Sequence, residues 1–254
     1  MCQICNKNNL NNSNEPNKTL HRRSFLKLGA ASTLGFSIAA AAQTAFAEDA
    51  HVHPLPENEL TPDAALERLM TGNERYAKGQ SAPLNFAKDR DALLKGQNPY
   101  ACILSCADSR VSPEFAFDEQ RGDLFVSRVA GNYVTLDFVA TLEYAALILH
   151  TPIIMVLGHE SCGAAKAAMD AVDNDEQFPG HIQIMASALA PAVRAVSHMP
   201  GDRYQNVVKE NVIQNVEKLK QTTPILHKLA MENKLLIVGG VYSLQTGKVE
   251  LVAT

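Results

Sequence analysis

Cysteine is scarce in this chain of 254 residues, with five in all. That is too few for a small disulfide-built scaffold, and a chain this long can bury a sizeable core without one. An excess of positive charge is also missing. The formal net charge of -4 removes any general electrostatic reason to expect a nucleic-acid partner. The polar bias of disordered chains is absent too, since 46% of the residues are hydrophobic and only 20% charged. No internal repeat is visible, and tryptophan does not occur at all.

What is present divides into two unlike segments. Residues 1–20 are rich in asparagine. His21-Arg22-Arg23-Ser24-Phe25-Leu26-Lys27 follows, then an uncharged stretch from Leu28 to Ala47 that ends Ala45-Phe46-Ala47 before Glu48. A basic start, a mildly apolar middle and a small-residue cleavage site make an export signal. The paired arginines followed by Phe-Leu-Lys resemble a twin-arginine signal. The other reading is an uncleaved anchor, for which the stretch is about long enough. Gly29, Gly35 and several hydroxyl residues interrupt it, however. The expectation is a signal over 1–47, periplasmic export of the folded protein, and no membrane attachment after cleavage. Cys2 and Cys5 leave with it. Their C-x-x-C spacing suits a metal or redox pair, but so short and polar a tract has no fold to hold one. The segment carries five basic residues and one acidic residue. Residues 48–254 therefore hold 18 basic and 26 acidic residues, for a net charge of -8. Three cysteines remain, Cys102, Cys106 and Cys162. An odd number in an oxidising compartment calls for a reason.

Residues 48–60 read as a linker, and 61–254 as one domain. Thr61-Pro62-Asp63 is a helix start, with a hydroxyl cap, proline in the first turn and an early acid. Leu66, Leu69, Met70, Asn73, Tyr76 and Ala77 then follow a helical period. A second helix is expected near Lys88–Lys95. Four short apolar runs, Tyr100–Ser105, Leu124–Val129, Pro152–Leu157 and Leu235–Val241, read as buried strands. Helical patterns cover Thr135–His150, Ala164–Val172, His181–His198 and Arg203–Glu232, the last broken near Pro224, while Asp173–Gly180 reads as a solvated acidic loop. Continuous apolar strands alternating with helices predict an α/β fold, a central mostly parallel sheet flanked by helices. Gln245-Thr246-Gly247 predicts a hairpin that adds Lys248–Val252 as an antiparallel edge strand.

Ligands of such sheets bind beyond the carboxyl ends of the strands. The first strand runs into Cys106-Ala107-Asp108-Ser109-Arg110, and the third into His159-Glu160-Ser161-Cys162-Gly163. Two thiols and one imidazole are a zinc set, and three protein ligands leave the open position of a catalytic site. A Cys106–Cys162 disulfide is the competing reading, but it leaves His159 and the Asp-x-Arg pair idle. Cys102 lies inside the strand and reads as a small buried hydrophobe. Asp108 can either take the open position on the metal or accept a hydrogen bond there, and Arg110 can hold it with a charge-assisted contact. The remaining histidines, His51, His53, His150, His181, His198 and His227, have no such companions.

The pattern Cys106-Ala-Asp108-Ser109-Arg110 with His159-x-x-Cys162-Gly163 resembles the β-class carbonic anhydrases. So do Gly96-Gln97-x-Pro99, Gly122-Asp123-Leu124-Phe125-Val126, Ala130-Gly131-Asn132, Gly240-x-Tyr242 and Thr246-Gly247. The resemblance spans roughly residues 61–252. It implies zinc on Cys106, His159 and Cys162, one ion per subunit, with Asp108 and Arg110 as a dyad beside it. The implied reaction is reversible hydration of carbon dioxide to bicarbonate and a proton, by attack of zinc-bound hydroxide oriented by Asp108. A homodimer or higher homo-oligomer is implied as well. Val129, Ala164 and Ser243 depart from the family's usual Asn, Gly and Asp. The lack of tryptophan leaves one branch's noncatalytic bicarbonate pocket without its indole. Two alternatives remain: the same fold hydrolysing another small heterocumulene, carbon disulfide or carbonyl sulfide, and a noncatalytic zinc- or bicarbonate-binding protein. Retention of both Asp108 and Arg110 speaks against mere storage.

Overall fold

The structure, a computed structural model, describes residues 55–254 except 84, 86, 88 and 89. The expected export signal and the first part of the expected linker lie outside the described residues. Five strands form one sheet: β1 (Ala101–Ser105), β2 (Leu124–Arg128), β3 (Ile153–His159), β4 (Leu236–Tyr242) and β5 (Val249–Ala253). Their order is β2-β1-β3-β4-β5. The first four are mutually parallel, and β5 runs antiparallel to β4 with an irregularity at Gly239/Gly240. Each strand falls within a residue or two of its apolar run, and every residue of β1 and β3 is buried. Parallel strands covered on both faces have no polar side to show, so they read as uninterrupted apolar runs.

The helices are α1 (Pro62–Ala77), α2 (Arg90–Leu93), α3 (Pro113–Ala116), α4 (Leu136–Leu147), α5 (Gly163–Asp173), α6 (Ile182–Ala195), α7 (Arg203–Thr222) and α8 (Pro224–Met231). Side chains at their starts fix most boundaries. Thr61, Thr135, Asp202 and Thr223 each accept a backbone N–H of the first turn. Thr223, in extended backbone before Pro224, ends α7 and caps α8 at once, which is the predicted break. The single-turn α3 was not anticipated, because four residues carry no period to read. No described helix is long and apolar enough to cross a membrane.

Alternate residues of β1 face opposite sides. Cys102 and Leu104 pack with Ile154, Val156, Val212 and Val216, on the side of α4 to α8. Ala101 and Ile103 pack with Met155, Leu157, Leu69 and Phe117, on the side of α1 and α3. Glycine lets α7 approach the sheet closely. A Cβ on Gly158 would sit 2.6 Å from Val212, and one on Gly239 2.5 Å from it.

Residues 55–60, expected as linker, pack onto the domain. Asn58 is buried and donates to the Asn98 carbonyl and to Asp123. The same corner holds an ionic network. Arg68 donates to Glu119 at 3.1 and 2.6 Å and to Asn58 at 2.7 Å, and its guanidinium lies 4.1 Å from the centre of the Tyr100 ring. The Tyr100 hydroxyl donates to Glu119 at 2.7 Å. Burial pushes the Glu119 pKa up against the pull of Arg68 and Tyr100. Arg68→Met would leave that carboxylate buried and short of its cation. Loss of one partner of a buried pair destabilises by about 3–5 kcal/mol, on the order of 10 °C in Tm for a domain this size. Thermal denaturation checks it, and an unchanged Tm would show that the pair contributes nothing.

Candidate active site

β1 and β3 are adjacent and parallel, with Ser105 in register with Leu157, so both strands deliver their ends to the same edge. Cys106 follows β1, His159 closes β3, and Cys162 is the N-cap of α5. The sequence distance between the two motifs is therefore closed by the excursion through α3 and β2 and the return through α4. One ligand atom from each of Cys106, His159 and Cys162 lies within 4.8 Å of the others, and all three residues are buried. All five predicted site residues converge here. Cys102 is apart from them, fully buried among aliphatic side chains. Cys102, Cys106 and Cys162 are all free thiols, so the competing disulfide is not formed.

Each ligand is held from behind. The His159 Nδ1–H donates to the Glu160 carbonyl at 2.8 Å, which turns the Nε2 lone pair toward the sulfurs. That Nε2 is buried and has no hydrogen-bond partner. An orphaned buried acceptor between two thiols is costly unless something binds it. Cys106 Sγ accepts the Gly131 N–H at 3.2 Å. The Cys106 thiol is pushed down, first by the neighbouring Cys162 thiol, then by the His159 ring and the N–H groups of Gly131 and Asp108. Cys162 moves the opposite way, chiefly because Cys106 sits beside it, with burial adding to the effect. Two such sulfurs cannot both ionise without a cation between them. The donor set thus fits a thiolate-loving ion, and the three residues present would hold it.

Asp108 stands next to this cluster, its Oδ2 3.8 Å from His159 Nε2. Arg110 grips it with two side-chain bonds, Nε to Oδ1 at 2.9 Å and Nη2 to Oδ2 at 2.7 Å, and adds its backbone N–H at 3.0 Å. This grip holds the carboxyl well below the usual carboxylate range, so Asp108 is ionised at neutral pH. In this structure Asp108 is paired with Arg110. Arg110 also reaches the Ser161 carbonyl at 3.1 Å and so ties the β1 loop to the β3 loop.

Sequence reasoning missed several supports. Arg128, the last residue of β2, donates to the carbonyls of Cys106 and Asp108 at 2.9 and 2.7 Å. The Tyr204 hydroxyl donates to the Cys162 carbonyl at 2.6 Å. Glu160 accepts Ser243 Oγ and the Leu244 N–H, both at 3.0 Å. Arg128 stands two residues before the family-like Ala130-Gly131-Asn132, which was a usable signal. Nothing local marks Tyr204. A cavity of about 420 Å³ shares Ser161 and Tyr204 with the loop but is lined by none of the three ligands.

A parallel sheet whose strand ends gather two thiols, an imidazole and a locked Asp–Arg pair defines an α/β enzyme with a centre suited to a metal ion. Comparison with known proteins gives the family. Residues 101–249 match the carbonic anhydrase family model. Carbonic anhydrase 2 of Mycobacterium tuberculosis is 36% identical over 192 residues, 75% of this chain and 92% of that protein. The carbonic anhydrase of Mycolicibacterium smegmatis is 35% identical, covering 75% and 93%. Among solved structures, the β-carbonic anhydrase CcaA superposes with a TM-score of 0.58 at 28% identity, covering 75% of this chain and 92% of that one. A Coccomyxa β-carbonic anhydrase gives 0.57 at 30%, covering 73% and 85%. The chain belongs to the carbonic anhydrase family, β class, whose general reaction is the hydration of carbon dioxide.

Proposed function

We propose that this carbonic anhydrase interconverts carbon dioxide with bicarbonate and a proton using one zinc ion per chain, held by Cys106, His159 and Cys162. The observation that carries the metal is the buried, unpartnered His159 Nε2 between two thiols. When bound, zinc supplies a Lewis acid that brings the pKa of a coordinated water to about 7. The chain's own residues do the rest. Asp108, held ionised by Arg110, accepts a hydrogen bond from the attacking water and so directs its lone pair at the substrate. Arg110 and Arg128 fix the backbone around Asp108. A protein that merely stored metal would need neither Asp108 nor Arg110.

Two further readings belong to the same proposal. Residues 1–47 act as a twin-arginine signal, so that the domain 61–254 works in the periplasm. The working unit is a homodimer or a larger homo-oligomer. Supporting this, α4 and its C-cap residue expose Leu136, Leu147 and Ile148 beside β2, the edge strand of the sheet among the described residues, where the rings of Phe125 and Tyr144 lie 6.2 Å apart. An apolar helix face next to a free strand edge is the kind of surface that a second copy covers.

The test is metal analysis joined to stopped-flow assay of the purified mature protein. One zinc per chain and carbon dioxide hydration at mildly alkaline pH are expected. Zinc without hydration would overturn the proposal, and turnover of carbon disulfide or carbonyl sulfide in its place would move the protein to that chemistry. The mass of the periplasmic protein, in its native and denatured states, checks the cleavage after Ala47 and the oligomer.

A further inference from the structure

The Cys106 sulfur accepts a backbone N–H from a segment on neither strand that carries the ligands. Gly131 lies in the turn after β2, at φ +87°. A Cβ there would meet Ala164 at 2.9 Å and Leu189 at 3.0 Å, so the turn is pressed against α5 and α6 and only glycine fits. The Gly131 N–H and carbonyl belong to successive peptide planes joined at its Cα, and at a glycine packing alone does not fix both. Three polar side chains on one face of α7 reach the turn, Asn211, Asn215 and Lys218. Asn211 Nδ2 donates to the Gly131 carbonyl at 2.9 Å. The Val134 N–H donates to Asn215 Oδ1 at 2.7 Å, and Lys218 Nζ donates to the Val134 carbonyl at 2.8 Å. Asn215 Nδ2 donates in turn to the Asn211 side-chain oxygen at 3.1 Å and to its carbonyl at 2.7 Å. With the Asn211 oxygen so occupied, its NH₂ must face Gly131. Both asparagines are buried. Buried amides on α7, far from the ligands in sequence, need a reason beyond solubility.

We infer that Asn211 is a positioning residue for the metal centre: by holding the Gly131 carbonyl it fixes the peptide plane that follows Gly131, which together with the φ of +87° at that packed glycine keeps the N–H of the preceding plane on the Cys106 sulfur, and so limits how much charge that thiolate donates to the metal. A set with two thiolates weakens the ion's Lewis acidity, and a hydrogen bond to one sulfur restores part of it. Groups behind the ligands commonly act this way. The inference rests on the metal assignment proposed above.

The experiment is cobalt(II) substitution of the full-length wild-type and variant proteins, reading the near-ultraviolet thiolate-to-cobalt charge-transfer band. Wild type shows the band. In Asn211→Ala it moves to longer wavelength, because the freed thiolate donates more, and zinc affinity falls by about tenfold or more. Lys218→Met, which removes a different bond from α7 to the same turn, lowers Tm but leaves the band in place. An unmoved band in folded Asn211→Ala overturns the inference, as does an equal shift in Lys218→Met, which would mean general loosening of the turn. Should Asn211→Ala not fold, Asn215→Ala, which frees the Asn211 amide to turn, must give a smaller shift of the same sign, and an unmoved band there also overturns it. No band in wild type would instead strike the metal assignment itself.

Discussion

Cys106→Ser is expected to lose metal and hydration activity together. A serine hydroxyl is a far weaker acid than the Cys106 thiol, whose surroundings lower its pKa, so the site keeps its shape and loses a thiolate donor. Lewis-acid stabilisation of several kcal/mol goes with the ion, which at about 1.4 kcal/mol per factor of ten corresponds to roughly a thousandfold fall in kcat/KM. The fold should survive. The Gly131 N–H can still find the serine oxygen, and the residue packs at the rim of a core whose larger members are untouched. Elemental analysis, stopped-flow assay and circular dichroism check the three parts. A folded variant that keeps one zinc per chain and full activity would remove Cys106 from the ligand set.

Asp108→Ala separates binding from chemistry. The carboxylate lies 3.8 Å from His159 Nε2 but is committed to Arg110 on both oxygens, so it is not needed to hold an ion. Metal content should stay at one per chain while kcat falls by about 10² to 10⁴, the range typical of losing a positioned proton-handling group. The Arg110 side chain is largely exposed and can return to water, so stability should change little. If the variant loses its metal instead, Asp108 is a ligand, and the dyad described here is a resting arrangement.

Most of this architecture could be read from residue order because its cause is local. Strands buried on both faces must be apolar throughout, and hydroxyl or carboxylate caps mark helix starts at Thr61, Thr135, Asp202 and Thr223. The cluster of Cys106, His159 and Cys162 was legible because its residue types are metal-binding ones and stand just past strand ends. The supports were not. Tyr204 and Asn211 are ordinary polar residues on a helix, and they become relevant only when α7 packs on the sheet and brings them to segments 42 and 80 positions away. Nothing in their own surroundings records that distance. The buried turn at 55–60 failed for a related reason. Pro54 and Pro56 look like linker, yet Asn58 finds its partners across 40 and 65 residues.

The layout of the ligands also bears on how the chain assembles. His159 and Cys162 are neighbours along the backbone, whereas Cys106 lies across a loop of 52 residues that includes β2 and α4. Closing such a loop is slow compared with forming a turn. A refolding chain can therefore present two of the donors early, but the third arrives only when β1 has found its place beside β3. An ion taken up by this site acts as a clasp on that one strand pairing. At a thousand times its dissociation constant, a ligand selective for the native state adds about 4 kcal/mol against unfolding. Uptake of an ion here would then work as a clock that starts when the centre of the sheet is complete, and a chelator would return the protein to the stability of its bare sheet.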